Sequence, residues 1–224
     1  MRFSVNINFN FKDLKVNRLI RFFVVSDLFF WSGWGLINPV FAIFIIDRVE
    51  GASVVTVGIA SAVYWITKAL FQMPVALYLD KHEGEKDDFH ALISGLILAG
   101  VASFVFLSVN TFIGLYFAVF IQALAFGLYT PAWSAIFSRH LDKKNYAFDW
   151  SFDNTAIGIA LGVTAFVGSA LAKIFGFDAI FICTGLLSFG SATLLLFVPD
   201  LILPEPPSNG QSPLLDHTPA NVGK

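Results

Sequence analysis

Asp27 and Lys68 are ionisable side chains set inside long apolar runs of this chain. A charge held at the depth of a lipid bilayer costs several kcal/mol, so such residues normally face a bundle interior or a water-filled route. The chemistry they suggest is the binding and passage of a polar solute through lipid. Helical spacing extends the set, because residues at i, i+4, i+7 and i+11 share one face. On that spacing Asp27 is joined by Trp31, Trp34 and Asn38. A second stripe holds Ser61, Tyr64, Lys68 and Gln72, and a third holds Gln122, Phe126, Tyr129 and Trp133. Three polar and aromatic stripes are what the wall of a cavity requires. The candidate substrate-binding residues are therefore Asp27, Trp31, Trp34, Asn38, Tyr64, Lys68, Gln122, Tyr129 and Trp133.

Depth separates these groups. At 1.5 Å per residue, Asp27 is about 7 Å inside its span and Trp34 about 18 Å. Lys68 lies about 16 Å from the nearer end of its own span, too deep for its stem to carry the ammonium fully to the surface. Interfacial anchoring is a fair account of Trp133, near a span end, and a poor one of Trp34. A bridge between Lys68 and Asp27 needs the lysine to lean toward the end where Asp27 sits.

The elements that position these residues follow from composition. The 224 residues are 56% hydrophobic and 13% charged, about half the charge of an ordinary soluble domain. Six apolar segments are long enough to cross a bilayer, over roughly 20–46, 53–79, 91–109, 111–137, 150–174 and 177–198. The connectors at Ser108–Thr111 and Ile174–Phe177 are short enough to demand tight hairpins. The fold class expected is all-α, a polytopic membrane protein. A six-helix domain over 18–200 lies between a cytoplasmic tail at 1–17 and a disordered tail at 201–224, which is rich in Pro, Ser, Asn and Gly. The stretch Pro204-Glu205-Pro206-Pro207 reads as solvated tail or as a recognition peptide.

Basic residues orient the spans. Arg2, Lys12, Lys15, Arg18, Arg21, Lys81, Lys86, Arg139, Lys143 and Lys144 fall on one side, against Arg48 and Lys173 on the other. Both termini are thus expected in the cytoplasm, with the protein in the cell (inner) membrane. The basic start is followed by an apolar run too long for a cleaved signal peptide, so the first span is expected to stay as an anchor.

Pro39 and Pro131 stand late in spans one and four, which cross in opposite senses. Matching interruptions suggest a three-plus-three inverted repeat with its site between the halves, although each proline is also tolerable as a simple kink. Gly158 and Gly162 form a GxxxG in span five and, with Gly168, suggest close helix packing. Asp149 and Asp153 open that span and suit its positive helix end, with proton coupling as the alternative reading. Cys183 is a single cysteine in an apolar run, the histidines fall in connectors and tail, and HExxH is absent. No cofactor or metal is expected.

Several of these residues carry a resemblance to the major facilitator superfamily, specifically its N-terminal six-helix half, over residues 18–200. The connector Ala76-Leu77-Tyr78-Leu79-Asp80-Lys81-His82-Glu83-Gly84-Glu85-Lys86 is similar to the family pattern Gly-x-Leu-x-Asp-Arg-x-Gly-Arg-Lys. Asp80 and Lys81 match its acid–base pair, Ala76 replaces the first glycine, and the second is displaced to Gly84. Pro131, Lys143-Lys144, the glycines of span five and Phe175-Gly176-Phe177 resemble that family too. The resemblance implies secondary transport by alternating access, spans one and four lining the cavity and Asp80 with Lys81 gating it. It also implies a second six-helix half, from a homodimer or another six-span chain, unless the chain is a transporter remnant.

The remaining readings are weaker in chemistry. A non-transporting scaffold or subunit would use the tail to engage a partner. An intramembrane serine protease needs a buried Ser and His, and an aquaporin-like channel needs a second Asn-Pro beside Asn38-Pro39. The reading is therefore a non-enzymatic transporter for a small solute, with ion coupling. Its partners are the lipid bilayer and the solute, and nucleic acid is not among them.

Overall fold

A computed structural model describes residues 18–81, 85–141 and 146–197. The tails at 1–17 and 198–224, with Gly84 and Lys143-Lys144, lie outside the described residues. Seven helices follow one another: α1 (Arg18–Ile37), α2 (Phe41–Arg48), α3 (Val54–Lys81), α4 (Lys86–Phe106), α5 (Phe112–Arg139), α6 (Tyr146–Phe175) and α7 (Phe177–Leu196). All except α2 are long and apolar enough to cross a bilayer. Among the described residues there is no strand. An apolar chain without water must satisfy its own backbone groups, and a helix does so within one segment.

The turns are built from residues suited to them. Gly176 alone separates α6 from α7, and Gly51 lies between α2 and α3. Both have positive φ, 79° and 77°, a region that a side chain disfavours. Thr111 caps α5 by accepting from the Gly114 N–H at 3.1 Å, which satisfies one orphan donor of the first turn.

The two prolines behave differently. Pro39 ends α1, and residues 38–40 form a turn before α2 resumes the span. Pro131 lies inside an unbroken α5, as Pro74 does in α3. Asn38 and Pro39 are exposed, whereas Pro131 is half-buried and followed by buried Ala132. A lost backbone bond is tolerated where neighbours hold the helix straight, so the expected pair of interruptions occurs only in span one.

The inverted repeat rests on better grounds than the prolines. α4 packs on α5 and α7, α1 packs on α7 and α6, and α3 packs on α5. Exchanging the first three spans (α1 with α2, α3, α4) for the last three (α5, α6, α7) maps this pattern onto itself. Gly100-Val-Ala-Ser-Phe104 in α4 corresponds to Gly185-Leu-Leu-Ser-Phe189 in α7. Phe189 fills the space over Gly100 and Phe104 the space over Gly185, the two rings stacking at 5.9 Å. Arg48 at the end of α2 pairs with Asp178 at the start of α7, and Arg139 at the end of α5 pairs with Asp88 at the start of α4. Each arginine sits at a negative helix end and each aspartate at a positive one. The two ion pairs are related by the same exchange and lie at opposite ends of the bundle.

Small residues and buried hydroxyls close the seams. Thr184 donates to the Gly33 carbonyl at 2.7 Å, Ser103 donates to the Phe181 carbonyl at 2.6 Å, and the Ser26 and Ser191 hydroxyls meet at 2.7 Å. Such interhelical bonds and small-residue contacts hold helices together where lipid competes equally for apolar surface. α3 and α6 occupy the flanks, with only 11% of each span buried.

Two expectations are corrected here. Gly168 does pack, since a side-chain carbon there would stand 2.2 Å from the Leu36 carbonyl oxygen. At Gly158 and Gly162 the same carbon would meet nothing within 4 Å among the described residues, because α6 turns that face away from the bundle. Asp153 is no cap: α6 begins at Tyr146, so Asp153 is two turns inside and buried. Gly168→Ala should destabilise the protein by about 1–3 kcal/mol through overpacking. Gly162→Ala should leave it unchanged or slightly more stable. Thermal unfolding in detergent checks both, and equal losses would refute the assigned packing.

Candidate functional site

The wall residues come from three helices that meet imperfectly. α3 leans on α5 and α1 on α6 and α7, which leaves a wedge between α1, α3 and α5. Aromatic rings fill its floor. Phe126 of α5 lies 5.3 Å from both Phe30 and Trp34, and 5.9 Å from both Trp31 and Tyr64. Above that floor is a cavity of about 330 Å³, at the lower end of small-molecule sites.

Trp31, Trp34, Asn38 and Phe41 line it from α1, the turn after it and α2. Ala60, Ser61, Tyr64, Trp65 and Lys68 come from α3, and Val119, Gln122 and Phe126 from α5. Six of the nine residues expected to bind substrate therefore stand together: Trp31, Trp34, Asn38, Tyr64, Lys68 and Gln122. Trp65 and Phe41 were not anticipated. Trp65 is off the Tyr64–Lys68 stripe by one helical step, and Phe41 enters only because the turn at 38–40 redirects the chain. Gln72, one turn beyond Lys68, is not in the lining.

Lys68 is half-buried, and its ammonium stands 5.4 Å from the Trp65 ring centroid and 5.7 Å from that of Phe126. No carboxylate of the described residues is within ion-pair distance of it. Trp34 is buried, and its indole N–H has no acceptor. Rings hold a cation by their quadrupole without neutralising it, so the charge of Lys68 remains available to a ligand.

The other three expected residues, Asp27, Tyr129 and Trp133, form a separate cluster beneath the aromatic floor. Tyr129 donates to Asp27 Oδ1 at 2.7 Å, and both are buried. The Tyr129 ring packs 4.6 Å from Phe30. Asp153 of α6 and the Trp133 indole stand beside the same carboxylate. Asp27 Oδ2, Asp153 Oδ1 and Trp133 Nε1 are buried and have no hydrogen-bond partner among the described residues. Trp133 is a core residue rather than an interfacial anchor, stacked 4.5 Å from Phe137 and edge-on to Trp150 at 5.6 Å. The bridge from Lys68 to Asp27 does not form. Asp153 is the residue of this cluster that lay outside the helical stripes, and its signal was an aspartate shortly before a long run of apolar and small residues.

Asp80 and Lys81 are exposed at the end of α3. Asp80 lies within electrostatic reach of Asp88, which is buried and paired with Arg139. Among the described residues no group of His, Cys, Asp and Glu has the arrangement of a metal site.

Comparison with known proteins follows the same lines. The sequence matches the profile of the Major Facilitator Superfamily over residues 23–221. No curated protein matches it. Among solved structures the fold is similar to the in meso crystal structure of the POT family transporter PepTSo, with a TM-score of 0.67 and 17% identity. That likeness covers 88% of this chain and 40% of the transporter, so the chain spans less than half of that protein's length.

Tyr129→Phe should destabilise the fold by about 1–3 kcal/mol, because it leaves Asp27 Oδ1 a buried acceptor with no donor. Denaturation in mixed micelles measures this. A loss below about 0.5 kcal/mol, the range of an ordinary surface change, would show that the bond is not structural.

Proposed function

The chain belongs to the major facilitator superfamily, and on that premise we propose that it forms one six-helix half of a transporter that moves a small solute by alternating access. Six apolar helices in a family of membrane transporters make it an integral membrane protein. The observation that carries the solute site is the cavity in which stripes from α1, α3 and α5 converge on an unpaired Lys68. Binding at the meeting point of repeats is the arrangement that inverted-repeat transporters use.

A single half does not enclose this cavity, so a second six-helix half completes the route. It is supplied by a second copy, by another chain or by further sequence of the same protein. The flanking faces of α3 and α6 support this. They are apolar, barely buried, and include Gly58, Gly158 and Gly162, where a neighbouring helix can approach closely. Asp80 and Lys81, exposed at the end of α3, are assigned to gating contacts with that half. Arg18, Arg21, Lys81, Lys86 and Arg139 support a cytoplasmic position for the end where α1 begins, and we assign the chain to the inner membrane with 1–17 and 201–224 as cytoplasmic segments around the 18–200 domain.

Coupling is assigned to a proton. Asp27 Oδ2 and Asp153 Oδ1 are buried acceptors that lack donors, and one proton held between the two carboxyl groups satisfies both. Two facing carboxylates stripped of water oppose joint ionisation, so taking up and releasing that proton requires a change of surroundings. Phe126 lines the cavity and packs 6.2 Å from Tyr129 of the cluster, which gives solute occupancy a physical route to the acids.

The test is uptake into vesicles reconstituted with the protein and whatever chains co-purify with it, loaded with a pH-sensitive dye. Across a panel of organic solutes, Lys68→Ala should reduce uptake of the accepted solute at least about tenfold, roughly the loss of one charge-assisted hydrogen bond. Asp27→Asn and Asp153→Asn should abolish solute-driven proton movement while solute counterflow persists. Unchanged uptake in both Lys68→Ala and Asp27→Asn would overturn the site.

A further inference from the structure

The cavity carries one formal charge, and that charge is positive. Lys68 is the ionised residue of the lining, which contains no Asp or Glu. Its ammonium is flanked by the rings of Trp65 and Phe126 and has no carboxylate among the described residues within ion-pair distance. Asn38 and Gln122 can donate or accept and do not change the balance. One cation with no carboxylate beside it in the lining favours a ligand that brings acceptor oxygens and a negative charge.

The rest of the wall selects the body of the ligand. Trp31, Trp34 and Trp65 present flat apolar surface on two sides of the wedge. The volume of about 330 Å³ suits a compact molecule of one or two rings. A cationic amine would meet Lys68 with like charge, which an interior site of this kind rejects.

We propose that the cavity binds a monoanion with a flat apolar body, an aromatic carboxylate, whose carboxylate lies against Lys68 and whose ring lies among the tryptophans. This inference rests on the cavity being the solute site, and it names the class of solute. It also accounts for the separation of the charged groups. The carboxylates that hold the proton lie below the aromatic floor, where they do not repel an anion at first contact.

Equilibrium dialysis against the full chain in lipid nanodiscs tests this with three labelled probes of similar shape: phenylacetate, phenylacetamide and phenethylamine. Phenylacetate should bind at least about tenfold more tightly than phenylacetamide, as a charge-assisted contact requires, and phenethylamine more weakly than either. Lys68→Gln should erase the preference for phenylacetate while retaining phenylacetamide binding, which shows that the cavity is intact, and Lys68→Arg should keep the preference. Equal affinities, or a preference for the amine, would overturn the anion class and leave the cavity as the solute site. An anion preference that survives Lys68→Gln would overturn the role given to Lys68. Binding of none of the probes would remove the cavity reading and this inference together.

Discussion

Helices surrounded by hydrocarbon gain little by burying apolar side chains on one another, because lipid offers the same surface. Their association depends on how closely backbones and complementary shapes can meet. In this bundle that condition is met first along α4 and α7, where Gly100 and Gly185 each receive a phenylalanine from the opposite helix. α1 joins that seam through Gly33 against Thr184, and α5 joins it through Gly95 against Ala125 and Tyr129 on its own side of the contact. α6 and α3 then attach outermost, to α1 and α5 respectively. The cavity lies where this sequence of close contacts leaves α1 and α3 apart.

The polar groups are handled in two ways, according to depth. At the ends of the bundle, arginines and aspartates pair across helix termini whose dipoles favour them, as Arg48 with Asp178 and Arg139 with Asp88. Within the bundle no such cation is supplied to Asp27, which is held by the Tyr129 hydroxyl and faces Asp153. Lys68 is left with aromatic rings. Acid and base are thus kept on opposite sides of one aromatic layer formed by Phe30 and Phe126. A mutual ion pair would have silenced both. Their separation leaves each able to act on something that comes and goes.

Much of this was legible beforehand. Apolar run length defined six spans, since nothing but a continuous helix satisfies so long a stretch in lipid. Helical periodicity picked out Trp31, Trp34, Asn38, Tyr64, Lys68 and Gln122, which stand together around one cavity. It overran at Asp27, Tyr129 and Trp133, because a stripe continues along a helix after a neighbour has closed over it. The repeat was sought in Pro39 and Pro131, yet its clearer marks are Gly100-x-x-Ser103-Phe104 and Gly185-x-x-Ser188-Phe189. Those residues mean little until the two helices are seen to cross. Asp153 was misread because a span's apolar boundary lags its true start. The four residues of the first turn, Tyr146 to Asp149, three of them polar or aromatic, already belong to α6.

What the sequence determined alone is the class of molecule: six membrane-length helices, their alternation across the bilayer, and a charge inventory in which Lys68 and Asp27, set inside apolar runs, demand explanation. These follow from local properties, namely hydropathy, helical period and the cost of dehydrating a charge. Which glycines are contacts and which are open surface, that Asp27 faces Asp153 and not Lys68, and that Trp65 enters the cavity were decided only by the tertiary structure. Each of those depends on the angle and distance between helices far apart in the chain, which no local pattern encodes.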